Sequence, residues 1–178
     1  MRAIVIGTSG TGKTTFARQL AQAVGAPHTE MDALHWGPDW TPHPLAQFRA
    51  AVDAASAGAR WVIDGNYTAV RDLLWPRATH IVWLDYSRLR VFSQVLRRTL
   101  RRGVRQTPLW AGNRESLGRA FFSRDSILLW SLTTFDKNRR RYADLRASGA
   151  WPQLQWAALP NPRQAQAWLA AQTQGTWD

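Results

Sequence analysis

Cysteine is absent from the 178 residues, which excludes a disulfide framework and any thiolate metal site. Histidine is scarce and scattered, four residues in all, which argues against a structural zinc site as well. No apolar run approaches the roughly 18 to 20 residues that span a bilayer. The first residues, MRAIVIGTSGTGKTT, lack the long apolar region of a secretory signal. These absences describe a cytoplasmic globular chain with no membrane partner. Its length fits one domain, residues 1–178, and at 45% hydrophobic and 20% charged it can bury a core.

Lysine is nearly missing too: two residues stand against 21 arginines. The net charge is +11, and residues 88–146 carry all of the excess, with fourteen Arg and one Lys against Glu115, Asp125, Asp136 and Asp144. The rest of the chain balances to zero. Arginine is suited to bidentate phosphate contacts, so the clustering points to a polyanionic partner bound in one place.

Short apolar runs alternate with helical patterns. Ala3–Ile6, His28–Met31, Arg60–Asp64 and His80–Leu84 read as strands, with a last one between Trp151 and Leu159. Helices are expected over Lys13–Val24, Leu45–Ala57, Ser123–Ala147 and Arg163–Ala171. Another should carry Leu89, Phe92, Leu96 and Leu100 as its apolar stripe, with Arg97, Arg98, Arg101, Arg102 and Arg105 opposite, and end at Gly103. Continuous apolar strands separated by helices favour a parallel sheet covered on both faces. The expected architecture is α/β: a three-layer P-loop NTPase fold with a five-stranded parallel sheet and a helical, Arg-rich lid insertion over 97–120.

Gly7-Thr8-Ser9-Gly10-Thr11-Gly12-Lys13-Thr14 matches the phosphate-loop pattern in full, between an apolar strand and an amphipathic helix. The glycines let successive N–H groups turn inward, and the helix start adds its positive end. Lys13 supplies a charge to the β- and γ-phosphates, and the Thr14 hydroxyl can ligate Mg²⁺. Residues 7–15, Thr15 included, are the expected nucleotide-binding residues, with ATP and Mg²⁺ as cofactors. No N-K-x-D segment follows, which excludes a switch GTPase.

The phosphate loop, MDALHW (Met31–Trp36), WVIDGNY (Trp61–Tyr67), VLRRTLRR (Val95–Arg102) and NRRRY (Asn138–Tyr142) together resemble bacterial adenylate-kinase-like proteins, also called DNA topology modulation proteins. The resemblance covers most of residues 1–142. It implies a nucleoside/nucleotide-kinase type of phosphotransfer, with the backbone at Asn161-Pro162 against the adenine. Adenylate kinases carry D-G-F-P-R where this chain has Asp64-Gly65-Asn66-Tyr67, a departure on the acceptor side.

Asp64 ends a strand at the usual place for a carboxylate that organises Mg²⁺, alongside Thr14. Asp32 follows the second strand and forms an E-x-D pair with Glu30, which strand alternation would point to one side. It is the general base if the acceptor is an alcohol, whereas a phosphate acceptor needs none. The alternative for Asp64 is a turn that caps the next helix, with the metal role favoured; for Asp32 a short-helix cap serves equally well. Trp36, Trp40, Asn66, Tyr67 and Arg71 are candidates for an acceptor pocket, the aromatics stacking a base and Arg71 holding an anion; His35, His43 and His80 receive no functional role. Arg98 and Arg102, one turn apart, are expected to neutralise the transferring phosphoryl group, with Arg139 and Arg141 reaching the nucleotide. Partners are therefore a nucleotide and a small-molecule acceptor. A nucleic-acid-binding ATPase, gripping a backbone with residues 88–146, is the alternative.

Overall fold

The computed structural model describes residues 1–105, 110–113 and 135–173, with backbone alone over 99–105. Most of the expected lid (97–120), the Arg102 side chain and the start of the helix expected from Ser123 lie outside the described residues. Five strands form one parallel sheet: β1 (Arg2–Gly7), β2 (His28–Glu30), β3 (Trp61–Asp64), β4 (His80–Leu84) and β5 (Gln155–Leu159), in the order β2-β3-β1-β4-β5. The central strand β1 is buried on both faces, as its unbroken Ala3-Ile4-Val5-Ile6 run requires.

The helices are α1 (Lys13–Ala23), α2 (Met31–His35), α3 (Leu45–Ala55), α4 (Arg71–Leu74), α5 (Arg88–Arg105), α6 (Phe135–Ala147) and α7 (Pro162–Gln172). They divide between the two faces of the sheet, completing three layers. Ala3 and Val5 meet Phe16 and Leu20 of α1, Val91 and Val95 of α5, and Leu169 of α7. Ile4 and Ile6 meet Met31, Phe48 and Val52, Leu74, and Tyr142 of α6. The α1 N-terminus follows Gly12 at φ 86°, and α7 begins at Asn161, whose side chain accepts from Gln164 N–H at 2.9 Å ahead of Pro162. Among the described residues, no helix is long and apolar enough to cross a membrane.

Two expectations are corrected. The buried face of α5 is Val91 and Val95, with Leu96 of the expected stripe packed beside them; Leu89 is 84% exposed and Phe92 36%, the Leu100 side chain lies outside the described residues, and the helix runs through Gly103 to Arg105. The reason is tertiary. Once α5 leaves β4, its approach to the phosphate loop selects the 91/95 stripe over the more apolar one. The strand alternation expected for Glu30 and Asp32 also fails, because the chain turns into α2 at Met31.

Candidate active site

Parallel strands put the C-terminal ends of β1, β3, β4 and β5 along one edge, where the crevices of open α/β sheets lie. The loop after β1 fills that edge. Gly10 and Gly12 hold φ of 90° and 86°, and a Cβ on Gly12 would meet nothing, so the space before α1 is open. The first-turn N–H groups of α1 have no intrahelical acceptor and face that space. A Cβ on Gly10, by contrast, would strike the Val95 side chain: α5 leans directly on the loop tip.

The end of β3 is pinned to the same loop. Asn66 donates from Nδ2 to Gly7 O at 2.6 Å and accepts from Gly7 N–H at 3.3 Å. Asp64, 5% exposed, accepts from the Thr14 hydroxyl at 2.8 Å on Oδ2 and meets His28 Nε2 at 2.9 Å on Oδ1. Thr14 and Asp64 thus supply two hard oxygen donors in contact, a set that fits Mg²⁺ held jointly with phosphate oxygens. Lys13 donates to Thr8 O at 3.3 Å. Burial pushes its ammonium below the usual lysine range, Asp32 and Asp64 draw it back up, and Arg98 lowers it further. Lys13, Asp32, Asp64 and Arg98 therefore share one electrostatic neighbourhood.

On the other side of the crevice stands an aromatic wall. Tyr67 donates to Asp32 Oδ1 at 2.6 Å; burial first, then the Asp32 charge, raises its phenol. His35 packs against Trp36, Phe48 and Tyr67 at 4.6 to 5.1 Å, and burial keeps its imidazole toward the neutral form. Asp39 and Trp40 take φ of 54° and 58° in succession, a conformation that costs roughly 1 to 3 kcal/mol per residue. Asn113 fixes this turn, accepting from Trp40 N–H at 3.1 Å and donating to Gly37 O at 2.9 Å. Trp110 donates to Glu30 at 2.9 Å, and Arg18 occupies the other Glu30 oxygen at 3.1 Å. Glu30 and Asp32 thus serve separate partners.

Arg139 lies against Asp85, 2.9 Å between Nε and Oδ1, and Arg141 donates to Thr68 at 2.8 Å. Neither contact joins the phosphate loop. Asn66 clamps the loop through its amide and also lines a small cavity with Tyr67 and Arg71. His28, Val95, Trp110 and Asn113 escaped the sequence reading. Each acts through a partner 36 or more positions away, or through a helix phase set by packing. A hollow of about 610 Å³ is lined, among the described residues, by α6 and the following Ser148, and holds no phosphate-loop residue.

The AAA family of ATPases associated with various cellular activities matches residues 3–85, less than half of the chain, from β1 through the end of β4. No curated protein matches in sequence. Among solved structures, a gluconokinase from Sinorhizobium meliloti 1021 is similar at 22% identity and a TM-score of 0.54, covering 95% of this chain and 91% of that one. A shikimate kinase from Bacteroides thetaiotaomicron is similar at 13% identity and a TM-score of 0.51, covering 96% and 95%. These likenesses show a P-loop kinase-like α/β fold.

Proposed function

We propose that the protein is an ATP-dependent phosphotransferase of the nucleoside/nucleotide-kinase type, moving the γ-phosphate to a small-molecule acceptor. The observation that carries the reading is the Thr14–Asp64 contact at 2.8 Å within electrostatic reach of Lys13, on a complete phosphate loop. The fold likeness to two small-molecule kinases supports it. The open amides before α1 bind phosphate oxygens, and Lys13 places its charge on the group being transferred. Thr14 and Asp64 would hold Mg²⁺, whose chemistry is to neutralise charge building on the phosphates. Asp32, oriented by Tyr67, takes the proton of an acceptor hydroxyl. Arg98, with Arg102 and the 97–120 lid, closes over the transferring group.

ADP release with ATP·Mg²⁺ across a panel of nucleosides, monophosphates and other alcohols tests this. Acceptor-stimulated release is expected; release that no acceptor changes would mark an ATPase. The nucleic-acid-binding alternative draws only on the charge of residues 88–146. Part of that net charge is already matched from outside the segment, Arg139 by Asp85. A steep fall of DNA affinity with salt would favour it, about 0.9 in slope per phosphate neutralised.

A further inference from the structure

The edge strand β2 has only three residues, and two of them carry polar side chains on the α1 side of the sheet. His28 is in register with Val62 and Glu30 with Asp64, and strand neighbours in register share a face. Val62 packs with Phe16 and Leu20 of α1, so His28, Glu30 and Asp64 all lie toward that helix. Apolar side chains would ordinarily fill such a face of a parallel sheet. Here both polar groups have partners. Glu30 is engaged at its two oxygens, by Arg18 at 3.1 Å and by Trp110 at 2.9 Å. His28, 13% exposed, reaches two positions along the strand direction to Asp64 Oδ1 at 2.9 Å.

That bond limits what Asp64 can offer. An ionised carboxylate only accepts, so the ring hydrogen of His28 sits on Nε2 and Nε2 donates. Oδ1 is then engaged, and Asp64 is too deeply buried for water to replace the imidazole freely. Oδ2 is the oxygen that faces the Thr14 hydroxyl, at 2.8 Å, and the two together are the donor pair that fits Mg²⁺. A single oxygen from each carboxylate suits Mg²⁺, which demands near-octahedral geometry and few carboxylate ligands. Ca²⁺ is larger, accepts more oxygens and readily takes a carboxylate through both of them.

We propose that His28 is a positioning residue that selects the metal: by engaging Asp64 Oδ1 it leaves one carboxylate oxygen for the ion and favours Mg²⁺ over Ca²⁺. The proposal rests on the phosphotransfer reading and narrows its cofactor. His28 touches no reacting atom and acts only through Asp64. Outer partners of this kind typically carry about 10- to 100-fold in metal affinity. An apolar residue at position 28 would leave Oδ1 free to turn toward the ion beside Oδ2.

The test measures the affinity of the full chain for a non-hydrolysable ATP analogue by calorimetry, with Mg²⁺, with Ca²⁺ and with neither. Mg²⁺ should strengthen binding to wild type more than Ca²⁺ does. His28→Leu should lose roughly tenfold of the Mg²⁺ enhancement, keep the Ca²⁺ enhancement, and leave metal-free affinity unchanged. His28→Gln, which retains an N–H donor, should restore most of the preference. Should His28→Leu fold poorly, His28→Asn carries the test, since its amide is polar but too short to hold Oδ1. In the metal-free wild type, nitrogen NMR should find the His28 ring hydrogen on Nε2. The same Mg²⁺-to-Ca²⁺ preference in wild type and in His28→Leu or His28→Asn would overturn the proposal, as would a His28→Gln no better than His28→Leu or a ring hydrogen on Nδ1. Each of those results leaves the phosphotransfer reading standing, whereas failure of the analogue to bind wild type under any condition would overturn both.

Discussion

The two sides of the crevice are built by different means. On the donor side the backbone does the placing: left-handed glycines, the free amides of α1, and an asparagine amide that grips the main chain of Gly7. On the acceptor side the placing falls to side chains, with Tyr67 on Asp32, rings edge to face around His35, and Asn113 clamping a strained turn. A backbone cradle reads a feature common to every nucleoside triphosphate. A wall of side chains can be altered one residue at a time, which is how selectivity for an acceptor is set. The donor side should therefore fail as a whole, and the acceptor side by degrees.

Lys13→Ala presses hardest on that contrast. It should cut nucleotide-dependent turnover by roughly 10²- to 10³-fold, the loss typical of one preorganised charge donor, with little change in melting temperature. Calorimetry that found equal nucleotide affinity in both proteins would count decisively against a working loop. Asp64→Asn comes next, at roughly 10- to 100-fold in Mg²⁺-dependent turnover. Nucleotide affinity measured without metal should change much less, and an indifferent variant would move the metal role to Asp32.

Asn66→Ala should cost about 1 to 2 kcal/mol in urea unfolding, the net worth of two hydrogen bonds, and weaken nucleotide binding with it. A stable variant with an unweakened loop would mean that Gly7 is held by its neighbours alone. The smallest effect belongs to Tyr67→Phe. Removing one donor to Asp32 should raise the acceptor KM several-fold and leave the nucleotide KM where it was. Equal changes in both constants would erase the distinction between the two sides.

The sheet and the donor side were legible because their signals are local. Ala3–Ile6 and His80–Leu84 are continuous apolar runs, and the phosphate loop is eight consecutive residues whose conformation glycine permits. Strand ends could be placed to within a few residues for the same reason. The acceptor side was less legible, because its contacts join distant segments. Nothing announces that Trp110 will reach Glu30 across 80 positions; on the donor side, too, the long-range contacts of His28 with Asp64 and Asn66 with Gly7 carry no local signal. The α5 stripe was misread at Leu89 and Phe92, which are larger side chains than Val91 and Val95, while Leu96 packs as expected. Position relative to the loop decided which pair was buried. Arg139 reads in sequence as one of a run of three cations, and only the fold reveals Asp85 beneath it.

The Asn66 clamp has a consequence for exchanging parts between proteins. Its two bonds tie Gly7 to a residue 59 positions later, so the eight-residue loop is not a portable module. A chimera that imports β1 and the loop while keeping a foreign β3 end would lose the brace on the first glycine. The stretch from α2 through α3 lies between the two anchored points and carries much of the aromatic wall. That stretch is the natural cassette: replaced as a unit, it would present a new acceptor wall to an unchanged phosphate cradle.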